Sequence, residues 1–199
     1  MEHEEILQAL KETGALRHGH FRLTSGRHSD TYIQCARIQE QPVMNNRLAA
    51  EALDRLPDGL GFDLVAAPAV GGIVFGYAVA AAAKKRFIWS ERQEGRMSLR
   101  RGFCVQAGER VLVCEDVVTT GGSVKELIVL IEEAGAEVVA VVSMIYRGGA
   151  RAFAHPYYPL IELPTPSWEE KDCALCAQGL PLDSPGSRYS AKASGGQGE

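Results

Sequence analysis

Two adjacent carboxylates, Glu115 and Asp116, stand between an apolar run at 111–114 and a loop of small residues at 119–123. The apolar run is typical of a buried strand, and residues 124–134 have the apolar spacing of a helix. The first turn of a helix presents unpaired N–H groups and a partial positive charge, which together bind phosphate. Carboxylates bind sugar hydroxyls or share a Mg²⁺ ion with a ligand. The segment therefore predicts a site for a sugar phosphate.

The composition of the loop supports this interpretation. Gly121 and Gly122 let the backbone close on a ligand, and the hydroxyls of Thr119, Thr120 and Ser123 add short donors. The loop lacks the Gly-Lys-Ser/Thr of a P-loop, and its glycines are adjacent rather than spaced as in dinucleotide-binding proteins. The alternative is an ordinary strand–turn–helix, which is disfavoured because the acid pair lies directly before the loop.

A second concentration of charge lies at 91–103, where four arginines occur close together in a chain of net charge −4. They are Arg92, Arg96, Arg100 and Arg101. Such a run is often no more than solvated surface. Arginine forks also bind phosphate oxygens in bidentate fashion, and Gly95 and Gly102 would let a loop fold over a ligand. The predicted phosphate site favours this second interpretation, a basic lid.

Residues 115–123 resemble the signature by which the type I phosphoribosyltransferases bind phosphoribosyl pyrophosphate (PRPP). Three further segments resemble the orotate branch of that family. Residues 21–29 resemble its substrate-side motif, 67–73 its pyrophosphate-side loop, and 143–147 the strand whose arginine binds the orotate carboxylate. The resemblance covers the chain from about Gly14 to Arg188, including Cys173 to Cys176.

The resemblance implies a function and a set of site residues. The implied reaction transfers the phosphoribosyl group from PRPP to orotate, with Mg²⁺ carried by PRPP and no firm protein ligand. The implied catalytic residues are Glu115, Asp116, Arg92 and Arg96. The implied PRPP-binding residues are Glu115, Asp116, Val117, Val118, Thr119, Thr120, Gly121, Gly122, Ser123, Arg92, Arg96 and Gly71. The implied orotate-binding residues are Thr119, Arg147, Ser25, Gly26 and Tyr32. The family also implies a homodimer in which the basic loop reaches the partner's active site.

The chain departs from the family pattern at two positions. Thr24 and Gly71 stand where many members carry lysines that contact the substrates, and Arg100 or Arg101 could replace those charges. Two other functions therefore stay open. One is transfer to a purine or uracil, which the carboxylate-binding Arg147 disfavours. The other is a PRPP-sensing regulator without turnover, which retention of the arginine loop disfavours.

The chain has five cysteines, an odd number that does not suggest a disulfide framework. Cys173 and Cys176 form a Cys-x-x-Cys pair, which could be half of a zinc site, a redox pair or two plain reduced thiols. A structural zinc site needs four ligands, and His155 or a second subunit could complete it. Plain thiols are the favoured interpretation. His28 is expected either in a turn or against the substrate.

Composition restricts the class of protein. At 199 residues with 46% apolar residues, a single globular domain is expected. The net charge of −4 does not suggest a nucleic-acid-binding protein, and no apolar run is long enough to span a membrane. The acidic start lacks the pattern of a signal peptide, so a cytoplasmic location is expected.

Strand and helix patterns alternate along the chain, which predicts an α/β fold with an open, mainly parallel sheet flanked by helices. One domain is expected at 1–188, with a small N-terminal hood at about 1–40 and a disordered tail at 189–199. The predicted helices are 4–12, 47–56, 73–85 and 124–134. The predicted strands are 62–67, 87–90, 109–114, 137–146 and 160–163.

Overall fold

The structure is a computed structural model, and it describes residues 1–185. Its strands are β1 Leu16–Arg22, β2 His28–Ile33, β3 Leu64–Pro68, β4 Arg86–Gln93, β5 Arg96–Leu99, β6 Arg110–Val118, β7 Glu137–Tyr146 and β8 Tyr157–Glu162. Its α-helices are α1 His3–Glu12, α2 Ala36–Gln39, α3 Pro42–Asp54, α4 Gly71–Ala83, α5 Gly122–Glu133 and α6 Ala174–Ala177, with a 3₁₀ turn at Glu170–Asp172. The predicted domain end at 188 and the predicted disordered tail at 189–199 lie outside the described residues.

A six-stranded sheet forms the centre, in the order β5-β4-β3-β6-β7-β8. Every neighbouring pair is parallel except β4 with β5, which is antiparallel. The prediction of an α/β fold with an open, mainly parallel sheet flanked by helices is confirmed. No helix among residues 1–185 combines the length and apolar character needed to cross a membrane.

The β6 strand shows why helices cover both faces of the sheet. Its side chains alternate in direction, so Leu112 and Cys114 pack with the apolar residues of α1, α3 and α4. Val111 and Val113 point the other way and pack against α5. All four are fully buried. A continuous apolar run of this kind is stable only where both faces are covered.

β6 is longer than the sequence predicted, and this places the acid pair. The prediction ended the strand at Cys114, but the strand continues through Val118 because β7 pairs with it along its whole length. Glu115 lies opposite Ser143 and Val118 opposite Tyr146. Both acidic residues therefore lie near the end of a central strand, before the following loop begins.

The basic segment 91–103 was predicted to be a loop that folds over a ligand, but residues 91–93 and 96–99 belong to strands. β4 and β5 form a two-residue hairpin in which Gln93 pairs with Arg96. Its turn residues, Glu94 and Gly95, have φ values of 50° and 82°. Two consecutive positive φ values are typical of the turn that matches the twist of hairpin strands. The many charges hid the alternating pattern of these strands.

The predicted hood, residues 1–40, contains α1, α2 and the antiparallel hairpin of β1 and β2, which the sequence did not predict as strands. The chain that follows β8 wraps across this hairpin. The backbones of His28 and Trp168 exchange two hydrogen bonds of 2.8 Å. On the other strand the Arg22 N–H donates to the Asp183 carbonyl, also at 2.8 Å. The hood and the C-terminal segment are thus joined by backbone hydrogen bonds.

Candidate active site

The order of the strands brings two loops together at the carboxyl edge of the sheet. From β3 the chain crosses through α4 to β4 on one side, and from β6 it crosses through α5 to β7 on the other side. β3 and β6 are neighbours, so the loops that leave them open next to each other. Ligands of open α/β sheets bind at such a switch point.

The acid pair lies against the start of α4. Oε1 of Glu115 accepts the Asp116 N–H at 3.0 Å, and Oδ1 of Asp116 accepts the Val117 N–H at 2.8 Å. A Cβ atom at Gly71 would lie 2.6 Å from Oδ2 of Asp116, and one at Gly72 would lie 3.0 Å from Oε1 of Glu115. A side chain at 71 would therefore require the Asp116 carboxylate to move, whereas glycine leaves the acid pair in place.

The two carboxylates are in different environments. Glu115 is buried, and Asp116 is partly exposed. Burial, followed by the charge of the neighbouring Asp116, raises the pKa of Glu115 well above its usual range. Burial therefore favours the protonated form of Glu115, and Asp116 is the more exposed member of the pair.

The predicted phosphate loop leads directly into α5. Gly121 has a φ of 76°, and a Cβ atom there would lie 2.5 Å from Cε1 of Phe153. A side chain is excluded at this position both by the backbone conformation and by the phenyl ring. Gly122, the first residue of α5, has no atom within 4 Å of the place of its missing Cβ. The N-terminus of α5 is thus open to a ligand on this side.

The other residues of this segment that were predicted to bind PRPP differ from one another in exposure. The side chains of Thr119 and Thr120 are exposed, and the Thr120 carbonyl accepts the Ala152 N–H at 2.7 Å. Ser123 is half-buried in the first turn of α5, and Val117 is partly buried in the strand. Val118 is buried, and its carbonyl accepts the Arg147 N–H at 2.9 Å.

A cavity of about 540 Å³ lies next to the phosphate loop. Four of the five residues predicted to bind orotate line it: Ser25, Tyr32, Thr119 and Arg147. The other residues of its wall are Leu23, Thr24, Ile33, Thr120, Gly148, Thr165 and Ser167. The fifth predicted residue, Gly26, is not part of the wall and forms, with a φ of 84°, the turn that carries Ser25.

Arg147 is the cation of this cavity. Its Nε–H donates to Oγ1 of Thr165 at 2.6 Å, a contact that sequence reasoning missed because the two residues belong to different segments. Burial lowers the pKa of the guanidinium, but an arginine stays charged at any working pH. No carboxylate of residues 1–185 forms an ion pair with it. A half-buried cation without a counter-ion favours an anionic ligand.

The predicted lid arginines are not at the cavity of their own chain. Arg92 forms an ion pair of 2.7 Å with Glu126 of α5, and it also donates to the Gly95 carbonyl at 3.0 Å. Arg96 lies on the same hairpin beside Lys125. Arg100 and Arg101, considered as replacements for the missing lysines, both pair with Glu91. Within one chain the structure does not bring these residues to the site.

Two histidines lie elsewhere than the sequence suggested. His28 was expected in a turn or against the substrate, but it lies in β2 and is buried, with its ring against the Sγ of Cys176. His155, considered as a partner for the Cys-x-x-Cys pair, contacts Glu132 at 2.9 Å. His155 therefore does not complete a site with those cysteines in this chain.

Comparisons with known proteins agree with this architecture. Residues 36–172 match the model of the phosphoribosyl transferase domain. The orotate phosphoribosyltransferase of Thermotoga maritima is 48% identical over 184 residues, which are 92% of this chain and 98% of that protein.

Two solved structures are also similar. Leishmania donovani UMP synthase has a TM-score of 0.67 at 27% identity, over 80% of this chain and 36% of that one. The orotate phosphoribosyltransferase of Aeropyrum pernix has a TM-score of 0.61 at 22% identity, over 90% of this chain and 91% of that one. The chain belongs to the phosphoribosyltransferase family, and its relatives over the full length place it in the branch of the orotate phosphoribosyltransferases.

Replacing Glu115 with glutamine tests the protonation of the acid pair. Because burial raises the pKa of Glu115 in the folded protein, the folded chain binds this proton more tightly than the unfolded chain does, so the wild type loses stability as the pH rises above the usual pKa of a glutamate. Glutamine does not titrate. We expect Glu115→Gln to melt at a higher temperature than the wild type at pH 8, and the difference to shrink toward pH 5. Thermal unfolding of both proteins between pH 5 and pH 8 measures this difference in melting temperature.

The control for this experiment is Glu133→Gln, which changes an exposed glutamate on α5. It should show no gain that grows with pH. A Glu115→Gln variant that is less stable than the wild type at pH 8 would mean that Glu115 is ionised in the folded protein.

Proposed function

We propose that this protein transfers the 5-phosphoribosyl group from PRPP to orotate, releasing pyrophosphate and orotidine 5′-monophosphate for UMP synthesis. The observation that carries the proposal is the guanidinium of Arg147, which forms no ion pair with residues 1–185 and lies in a cavity next to the phosphate loop. A neutral base needs no such partner, whereas the orotate carboxylate pairs with an arginine fork in bidentate fashion. The names of the similar proteins support the same reaction.

The site residues have roles that follow from their positions. The first turn of α5 and the hydroxyls of Thr119 and Thr120 bind the 5′-phosphate. The charged Asp116 binds the ribose hydroxyls at the carboxyl edge of the sheet, with Glu115 beneath it. Orotate lies in the cavity, with its carboxylate on Arg147 and its ring bordered by Tyr32 and Ser25.

The reaction depends on charge and position. N1 of orotate forms a bond to C1 of the ribose while the bond from C1 to pyrophosphate breaks, and positive charge develops on the ribose ring. The proton of N1 leaves with the departing pyrophosphate. The protein forms no covalent bond, so orientation and electrostatic stabilisation supply most of the acceleration. Asp116, with the buried Glu115 next to it, holds the ribose so that C1 faces N1.

Magnesium belongs to this proposal as the ion that PRPP carries. Mg²⁺ prefers hard oxygen donors and retains much of its own water. The partly exposed carboxylate of Asp116 is such a donor, directly or through water. When bound, the ion neutralises the pyrophosphate as it leaves.

We also propose that the active protein is a homodimer with shared sites. Arg92 and Arg96 lie on an exposed hairpin that packs on α5 and does not line the cavity of its own chain. Leaving pyrophosphate needs cations, and the hairpin of a second copy is the source that the family resemblance implies. The five free cysteines favour a reducing compartment, and we assign the protein to the cytoplasm.

Turnover with different bases tests the proposed reaction. The purified protein is mixed with PRPP and Mg²⁺, and the loss of each base is followed with orotate, uracil or hypoxanthine. We expect rapid consumption of orotate alone, because only orotate offers a carboxylate to Arg147. Turnover of hypoxanthine or uracil instead would identify a different transferase, and PRPP binding without turnover would identify a regulator.

Arg147→Ala tests the role of the guanidinium. A hydrogen bond to a charged group contributes about 1.5–3 kcal/mol, so the KM for orotate should rise about 10- to 100-fold while kcat changes less. Arg147→Lys keeps the positive charge but lacks the two-pronged guanidinium. Its KM for orotate should lie between those of the wild type and Arg147→Ala. The control Arg55→Ala removes an arginine that pairs with Glu51 on α3. An unchanged kcat/KM for orotate in Arg147→Ala would contradict the assignment.

A mixture of two inactive variants tests the shared site. Arg92→Ala and Asp116→Asn are unfolded together and refolded. If Arg92 acts in the partner's site, each mixed dimer has one intact site, and random mixing should restore roughly a quarter of the wild-type activity. If Arg92 acts in its own chain, every site keeps one defect and the mixture stays inactive. Refolded wild type and each refolded variant alone are the controls.

A further inference from the structure

A second group of reactive side chains lies outside the candidate active site, where the C-terminal segment wraps the hood. His20 belongs to β1 and His28 to β2. Cys173 is the N-cap of α6, and Cys176 lies within this helix. Each offers one ligand atom, and these four atoms all lie within 4.8 Å of one another. We call these four residues the hood cluster. His20, His28 and Cys173 are buried, and Cys176 is partly buried.

The distances within the hood cluster are those of a small tetrahedron. Nε2 of His20 lies 3.1 Å from Nδ1 of His28, 3.5 Å from the Sγ of Cys173 and 3.6 Å from the Sγ of Cys176. Nδ1 of His28 lies 3.1 Å from the Sγ of Cys176. Zinc bonds of about 2.0–2.1 Å to nitrogen and 2.3 Å to sulfur give tetrahedral edges of about 3.3–3.8 Å. One zinc ion therefore fits among these atoms with small adjustments of the side chains.

The orientation of His20 is that of a metal ligand. Its Nδ1 lies 2.9 Å from the Leu180 carbonyl oxygen, and this nitrogen must donate because a carbonyl oxygen can only accept. The neutral ring then has its lone pair on Nε2, the atom that faces both sulfurs. A backbone carbonyl that fixes the other ring nitrogen is typical of zinc-binding histidines.

The same geometry disfavours the other possibilities for this group. A Rieske cluster also uses two cysteines and two histidines, but it holds the two pairs on different irons. Here both sulfurs lie next to the same histidine nitrogen, so a single ion is indicated. Both cysteines are free thiols in the structure rather than a disulfide.

We propose that His20, His28, Cys173 and Cys176 bind one structural Zn²⁺ ion. Two thiolates and two imidazoles are a donor set that suits zinc. Four protein ligands leave no position open for a substrate, so the site is structural rather than catalytic. The sequence showed only the Cys-x-x-Cys half, because the histidines come from a hairpin distant in the chain.

The position of the hood cluster indicates which parts of the protein the ion would hold together. His20 and His28 flank the turn at 23–27, which contributes Leu23, Thr24 and Ser25 to the wall of the cavity. The two cysteines follow Thr165 and Ser167, which line the same cavity. The ion therefore ties two separate parts of the cavity wall together. This consequence rests on the proposed function, whereas the presence of the metal does not.

The metal content of the wild-type protein is the first test. The protein is purified without a histidine tag or a metal-affinity step, and zinc is measured by mass spectrometry. We expect about one zinc ion per chain. Protein produced with Co²⁺ in place of zinc should show the visible absorption of tetrahedral Co²⁺ and a thiolate-to-cobalt charge-transfer band. A chain without stoichiometric zinc or such a spectrum, or one with a Cys173–Cys176 disulfide, would overturn the proposal.

Variants then test the ligands and their effect on the cavity. Cys176→Ser should lose the zinc, melt at least about 5 °C lower and raise the KM for orotate more than it lowers kcat. Cys104→Ser changes an exposed free cysteine and should keep the zinc and both constants. Equal zinc loss in both variants would contradict the assignment. If Cys176→Ser does not fold, the wild-type zinc content and cobalt spectrum still decide the matter.

The outcomes for the metal and for the reaction are distinguishable. Stoichiometric zinc without orotate turnover would support the metal site and contradict the proposed function. Orotate turnover in a protein that never holds zinc would contradict the metal site alone.

Discussion

The packing of α4 against the acid pair is the constraint on which the rest of the site depends. Gly71 and Gly72 let the helix backbone approach the acid pair closely: a Cβ atom at 71 would lie 2.6 Å from Oδ2 of Asp116, and one at 72 would lie 3.0 Å from Oε1 of Glu115. Glu115 is buried in this packing, and its burial raises the pKa of its carboxyl. A lysine at 71, as many members of the family carry, would require the Asp116 carboxylate to move.

The absence of that lysine changes the balance of charge at the site. In the described residues Arg147 is the one cation of the cavity wall, and the proposed function assigns it to orotate rather than to pyrophosphate. The arginines of the β4–β5 hairpin are held away by Glu126 and Glu91. The pair of Arg92 with Glu126 is exposed to solvent on both sides and therefore weak, so a polyanion can displace it at little cost. The proposed dimer would supply these arginines in trans.

The sequence predicted the features that are formed by neighbouring residues. It missed the features that are formed by residues distant in the chain. The apolar run at 111–114, the acid pair and the helix after Gly121 are contiguous, so their order along the chain is enough. The end of β6 was predicted too early because its last residues are stabilised by pairing with β7, which composition does not show. The β4–β5 hairpin was not predicted because its many charged residues obscure the alternating pattern of its strands. His20 was not considered because its partners, Cys173 and Cys176, are brought to it only by the fold.

The hood also shows why a metal would be needed at this place. An isolated two-stranded hairpin is marginally stable in water, and β1 and β2 belong to no larger sheet. The C-terminal segment that covers them has only a 3₁₀ turn and the four-residue α6 among its described residues. Backbone hydrogen bonds at Trp168 and Asp183 join the two parts at their edges but do not fix the side chains between them. The proposed four-ligand ion would add rigidity at the centre of this contact, next to the turn that carries Ser25.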